Sequence, residues 1–250
     1  MKKGFMAGLF ILLMLTALPV GATNDPFSYP VSTVILDAGH GGKDPGASAS
    51  YSFSGGTINE SDLVLDITKR VHALLTSENP SLKLVMTRTD DTYISLAERS
   101  RIAYTTELSP QSSLLFVSIH INSALSHEAT GFEVLTKRQG KRVSFLDEDT
   151  PIRNIPLYAP FSALELNRLL NQRNLFIART FEEVLSQRMV TSRNRGIKER
   201  DLYVLNASRV PAVLLEVGFL SNEDEARNII TPEWRQQVAQ AIAQAIISCV

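Results

Sequence analysis

The sequence predicts a single α/β domain in which a mostly parallel sheet of about six strands lies between helices on both faces. Short apolar runs alternate with segments of helical period, and several of those runs are almost wholly apolar, as strands covered on both faces are. Capping signals mark where the helices begin. The 250 residues are 44% hydrophobic and 20% charged, enough to bury a real core. One large domain is then a simpler reading than two small ones.

Residues 1–22 read as a signal peptide. Lys2 and Lys3 precede the apolar run Phe5 to Val20, which is short for a membrane span, and Val20, Gly21 and Ala22 form the small-residue pattern of a cleavage site. The mature protein is therefore expected outside the cytoplasm, in the periplasm or cell wall, with no stable membrane span after processing. Residues 23–32 form a short N-terminal linker, and 33–250 the folded domain. Its one cysteine, Cys249, excludes an internal disulfide, and no cysteine follows the apolar run to accept a lipid.

Strands are expected at Thr33–Leu36, Leu82–Thr87, Leu114–Ile119, Phe132–Leu135, Leu202–Leu205 and Ala212–Val217. The spacing of Leu63, Ile67, Val71 and Leu74 predicts a helix, as do the patterns around Ser95–Tyr104, Ser162–Met189 and Glu233–Ser248. Thr57 with Glu60, Ser95 with Glu98 and Ser162 with Glu165 have capping-box spacing, and Thr231-Pro232 suits a helix start. The stretch 137–161, with the acidic cluster Asp147-Glu148-Asp149 and prolines at 151, 156 and 160, reads as a long loop or lid. With 25 basic against 26 acidic residues, the chain lacks the broad basic field of a nucleic-acid binder, which excludes a polynucleotide partner.

In an open parallel sheet, ligands gather beyond the carboxyl ends of the strands. Four residues fall there. His40 follows the first strand in VILDAGHGGKDPGA, His120 ends LLFVSIH, Glu216 lies near the end of AVLLEV, and Glu60 starts the helix after the glycine-rich segment. Two imidazoles and a carboxylate suit zinc and leave a fourth position for water. Gly39, Gly41 and Gly42 let the backbone pass close to an ion.

Blander roles stand beside these. A histidine at a strand end is often only hydrogen-bonded, and Glu60 has the spacing of a helix cap. Glu216 is harder to dismiss, because an unpaired polar group inside an apolar strand costs about 2–7 kcal/mol. His72, in a helical pattern, and His127, in a polar loop, lack the strand-end placement. Asn122 could contact substrate near the metal, although asparagine after a strand is also a good turn former. Arg88, Arg99 and Lys198 read more readily as surface or ion-pair residues than as site residues.

DAGHGGKDPGA, the Glu60 helix opening, TRTDDTYISLAER, SIHINSA, RGIKERDLYVL and PAVLLEVGFLSN resemble, in order, the motif series of the zinc-dependent N-acetylmuramoyl-L-alanine amidases that cut bacterial peptidoglycan. The resemblance runs from about Val34 to the C-terminal helix. It implies that His40, Glu60 and His120 hold one Zn²⁺, that Glu216 is the catalytic glutamate, and that the fold is a sheet of about six strands with helices on both faces. Ser61 departs from the lysine that often follows the family's glutamate. In some members an inserted helix near 137–161 covers the zinc until a partner removes it, which raises a protein activator as a partner. The prolines and mixed charge there fit an ordinary loop or a substrate-side lid at least as well.

The activity so implied is hydrolysis of the amide between the lactyl group of N-acetylmuramic acid and the L-alanine of the stem peptide. A zinc carboxypeptidase or endopeptidase on stem peptides and a noncatalytic wall-binding module are the alternatives. The products released from sacculi separate the three.

Overall fold

The computed structural model describes residues 25–250; the expected signal peptide lies outside the described residues. The domain opens with β1 (Val31–Ala38). Then follow a small hairpin of β2 (Ser48–Ser50) and β3 (Thr57–Asn59), α1 (Glu60–Glu78), β4 (Lys83–Met86), α2 (Leu96–Tyr104), β5 (Ser113–Asn122) and β6 (Phe132–Lys137). A 3-10 turn at Ile152–Asn154 leads into α3 (Ile155–Tyr158), and α4 (Ala163–Arg188), β7 (Asn194–Arg200), α5 (Tyr203–Ala207), β8 (Ala212–Phe219), α6 (Glu223–Ile229) and α7 (Pro232–Ile247) complete the chain.

Six strands form one sheet in the order β4-β1-β5-β8-β6-β7. Every neighbouring pair is parallel except β6 with β8. The reversal places the starts of β6 and β7 at the same edge as the carboxyl ends of β1, β5 and β8.

Side chains alternate between two cores, as the period of a strand requires. Val34, Leu36, Leu115, Val117, Val213 and Leu215 face the larger one, shared with α1, α4 and α7. Ile35, Leu114, Phe116 and Leu214 face the smaller one, shared with Ala103 of α2 and with Val204 and Leu205 of α5. Burial on both sides explains why these strands read as continuous apolar runs. Phe116 is fully buried, and truncating it to alanine should cost about 3–5 kcal/mol.

The helix starts follow local chemistry. The Ser95 and Ser162 hydroxyls accept hydrogen bonds from the backbone N–H groups of Glu98 and Glu165, at 3.2 Å each. Thr231 caps α7 through the Trp234 N–H, with Pro232 in the first turn.

Two expectations fail. Leu202–Leu205 is not a strand: Tyr203 opens α5, and the strand is the polar NRGIKER segment just upstream. As an edge strand it keeps one side in water, so its composition hides its pairing. Thr57 does not cap α1 either; it lies in β3, and Asn59 precedes the helix without a side-chain cap bond.

The 137–161 stretch is anchored rather than free along its length. Phe145 and Tyr158 pack with Phe27, Leu166 and Leu170, their rings 5.5 Å apart. Phe27, in the segment read as a linker, is buried in the same cluster. Among the described residues no helix is long and apolar enough to cross a membrane.

Candidate metal centre

The chain between β1 and β2 makes a tight turn closed by a two-way backbone bridge between Gly41 and Asp44. His40 sits on it in the left-handed region, at φ 59°, a conformation that costs a non-glycine residue energy and persists only where its surroundings enforce it. Two buried guanidinium groups do the enforcing. Arg99 donates to the His40 carbonyl at 2.5 Å and to the Ala38 carbonyl at 2.6 Å. Arg88 donates to the carbonyls of Ala38, Gly39 and Ser61 at 3.0, 2.7 and 2.8 Å. Both arginines are therefore interior scaffolding, not surface residues.

Arg99 is held in turn by Asp37, the penultimate residue of β1, at 2.6 Å. The same buried carboxylate accepts hydroxyl bonds from Thr87 and Ser118, each at 2.7 Å. One acid thus ties together β1, β5, α2 and the segment after β4.

Asp44 lies 2.9 Å from His40 Nδ1. This bond fixes the ring and leaves Nε2 facing the site, the arrangement by which a carboxylate orients a metal-binding imidazole. Glu60 is the first residue of α1, where the helix dipole favours negative charge. Its Oε1 accepts from the Ile121 N–H at 3.0 Å and its Oε2 from the Ala47 N–H at 2.8 Å. His120 ends the regular part of β5, just before a bulge against β8.

These three side chains converge. Glu60 Oε1 lies 3.1 Å from His40 Nε2 and 3.0 Å from His120 Nδ1, and the two ring nitrogens are 3.2 Å apart. One donor atom from each falls within 4.8 Å of the others. The close approach depends on absent side chains. A Cβ on Gly39 would stand 2.2 Å from His120 Cε1, and one on Gly46 would stand 2.6 Å from Glu60 Oε2.

The electrostatics match a cation site. Burial works against charge on His40, yet Glu60 and Asp44 outweigh it and raise the imidazole to about 9. His120 is raised as well, its burial overcome by Glu60. Glu60 is held far below the usual carboxylate range by the two imidazoles, despite its burial. The group wants positive charge at its centre, and its donors, two nitrogens and an oxygen, are those zinc accepts.

Glu216 stands beside them. In the parallel register of β5 and β8 it is the direct partner of His120, so both side chains leave the same face. Its Oε2 is buried and has no hydrogen-bond partner among the described residues, and burial pushes its carboxyl up to about 7. A carboxyl poised there can take and return a proton near neutral pH.

The remaining sequence-derived candidates lie outside the three-donor cluster. Asn122 turns its side-chain oxygen onto the Ser123 N–H at 2.8 Å and gives its carbonyl to the Leu220 N–H, the bonding of a turn residue. His72 is on the outer part of α1, and His127 bonds the Ser221 carbonyl. Lys198, with Arg195, pairs with Glu133 on β6. The cleft over the donors is walled by Tyr93, Ile94, Leu96, Leu202 and Tyr203, and 137–161 contributes none of its lining.

Known proteins share this arrangement of sequence and fold. The profile of the N-acetylmuramoyl-L-alanine amidase family matches residues 34–248. The chain is 31% identical to the uncharacterized protein YqiI of Bacillus subtilis, over 94% of this chain and 92% of that protein. It is also 31% identical to a probable N-acetylmuramoyl-L-alanine amidase, AmiB, of Haemophilus influenzae; that match covers 89% of this chain but 52% of AmiB. The crystal structure of an N-acetylmuramoyl-L-alanine amidase from Clostridium difficile 630 superposes with a TM-score of 0.65 at 30% identity, covering 87% of this chain and 96% of that one. With the His-Glu-His cluster at the strand ends, and with the profile spanning nearly the whole described domain, the chain belongs to the N-acetylmuramoyl-L-alanine amidase family.

Proposed function

We propose that this chain is a zinc-dependent N-acetylmuramoyl-L-alanine amidase, secreted to the cell envelope by residues 1–22, that hydrolyses the bond between muramic acid and the L-alanine of the peptidoglycan stem. The single observation that carries the reading is the convergence of His40, Glu60 and His120, with Glu216 in register beside them. His40, Glu60 and His120 would hold one zinc ion. Bound there, it would supply a Lewis acid that polarises the scissile carbonyl and acidifies water.

The protein's own groups do the rest. Asp44 keeps the His40 ring oriented, and the two backbone bonds to Glu60 fix its carboxylate. Glu216 accepts a proton from the attacking water and delivers it to the departing alanine nitrogen, which is a poor leaving group unless protonated. Its unbonded, buried oxygen leaves that proton free to move. We assign Asn122 a substrate contact beyond His120, which requires its side chain to leave the Ser123 N–H on binding.

Metal analysis of the purified protein, followed by digestion of sacculi with mass analysis of the products, tests the proposal. Intact stem peptides with unsubstituted muramic acid are the expected products. Shortened stems would mark a peptidase, and sacculus binding without release would mark a wall-binding module.

A further inference from the structure

The row of chemistry across the sheet does not stop at Glu216. On its other side the antiparallel register of β6 and β8 pairs Glu216 with Glu133, so His120, Glu216 and Glu133 stand side by side on three adjacent strands, all on one face. Glu133 is buried and takes two cations from β7 on a single oxygen: Arg195 Nε at 2.6 Å and Lys198 Nζ at 2.5 Å. Two positive charges share one negative charge. Arg195 is further fixed by the Thr130 carbonyl at 3.3 Å and by the Phe219 ring, 4.9 Å from its guanidinium carbon. Its Nη2 donors, and the other protons of the Lys198 ammonium, have no hydrogen-bond partner among the described residues. Both side chains are about a quarter exposed.

The opposite side of the site has a different character. The cleft beside His40 is walled by Tyr93, Leu96 and Tyr203; the cation in its lining is the buried Arg99, and Lys43, outside the lining, is engaged by the Tyr93 ring, its ammonium 4.5 Å from the centroid. The site therefore has a direction, with an apolar and aromatic side over β1 and a cationic side over β6 and β7.

We propose that Arg195 and Lys198 form a carboxylate-recognition subsite for the stem peptide, so that substrate lies with its sugar toward Tyr93 and Tyr203 and its peptide across Glu216 toward β7. This rests on the amidase reading. Glu216 must reach the departing nitrogen, which belongs to the peptide half, so the peptide leaves the metal donors on the Glu216 side. A chain advances about 3.5 Å per residue, and neighbouring strands stand about 4.8 Å apart. The residue after alanine then comes level with Glu133 and its two cations. Where that residue is a glutamate joined through its side chain, it presents a free α-carboxylate there. Arg195 Nη2 and the Lys198 ammonium are the donors that would receive it, a charge-assisted pairing in a partly desolvated position. Glu133 positions both cations and limits their excess charge.

The test uses two muramoyl peptides that differ in one group, the second residue carrying either a free α-carboxylate or its amide. The wild-type protein is expected to favour the free acid in kcat/KM by about tenfold or more, as one charge-assisted hydrogen bond allows. The variant Arg195→Gln, Lys198→Met, with Glu133→Gln added so that no buried carboxylate is left unpaired beside Glu216, should lose that preference, chiefly through KM, whatever change is common to the two substrates. Because the readout is a ratio on one protein, partial misfolding moves both substrates together. Equal loss on both, or an unchanged ratio, overturns the inference. Titration calorimetry of the Glu216→Gln protein with the two stem peptides, lacking the sugar, reads recognition without hydrolysis. If the wild-type protein cleaves neither substrate, the amidase reading fails, and the calorimetric difference between the peptides still decides whether Arg195 and Lys198 bind a carboxylate.

Discussion

Arg99→Met offers the sharpest test of how the turn bearing His40 is held. The substitution keeps the length and apolar stem of the side chain but removes donors to Asp37, to the Ala38 and His40 carbonyls and to the Ile94 carbonyl. Asp37 is then a fully buried carboxylate with two hydroxyl partners and no hydrogen-bonded cation. Breaking one side of a buried pair costs about 3–5 kcal/mol, a large share of the ~5–15 kcal/mol that holds a domain folded. At about 2–4 °C per kcal/mol for a chain of this size, Tm should fall by roughly 6–20 °C. Urea unfolding followed by circular dichroism measures the loss. Adding Asp37→Asn should return part of it, because a neutral amide needs no counterion. The reasoning is refuted if Arg99→Met unfolds within about 1 kcal/mol of the parent, or if Asp37→Asn makes the double variant worse.

Other outcomes follow from the site. Glu216→Gln should still bind zinc while losing about 10²–10⁴ of the hydrolytic rate; a variant with full rate would remove Glu216 from the chemistry. In the metal-free protein Glu216 keeps its proton up to about pH 7, whereas the unfolded chain releases it near 4.5. Stability therefore falls as pH rises between those values, and Glu216→Gln should exceed the parent above pH 7 by on the order of 3 kcal/mol, the gap closing near pH 4. His40 acts in the same sense at higher pH. Raised to about 9, it lends the metal-free fold stability that is complete below pH 6.5 and lost as pH climbs through 9. Zinc must displace that proton, so affinity measured by competition should increase with pH up to about 9; a flat profile from 7 to 9 would argue against His40 as a ligand. Gly46→Ala forces a Cβ at φ 68° to within 2.6 Å of Glu60 Oε2 and 2.7 Å of His40 Cδ2. Metal affinity should drop by about tenfold or more with helical and sheet signals retained, which titration of the purified variant can check.

Much of this was legible in the sequence, because strands buried on both faces announce themselves as apolar runs. β1, β5 and β8 are such strands, and the chemistry sits where they end. β7 escaped notice because an edge strand wetted on one side carries the polar residues of a loop, while Val204 and Leu205 pack inward from a helix too short to show a period. The three converging donors were read from strand-end placement and motif resemblance. Their support was not. Asp44 lies four residues from His40 in a segment that reads as a turn, and Arg88 and Arg99 look like any arginine near an amphipathic helix. Only the folded chain shows that Asp37 and these two guanidinium groups bind strand ends and turn into one block. The Thr57 and Glu60 spacing misled in a useful direction: freed from capping, the Glu60 carboxylate is available to the site.

The side-by-side placement of His120, Glu216 and Glu133 makes strand alignment a condition of chemistry. Because side chains alternate along a strand, a slip of β8 by one position would swing the acid to the far surface and present Leu215 or Val217 in its stead. A misassembled copy could keep its sheet and still be inert, a safe failure for a catalyst directed at a structural polymer. Hydrolytic competence per folded molecule would then report on pairing fidelity more sharply than any spectroscopic measure of strand content.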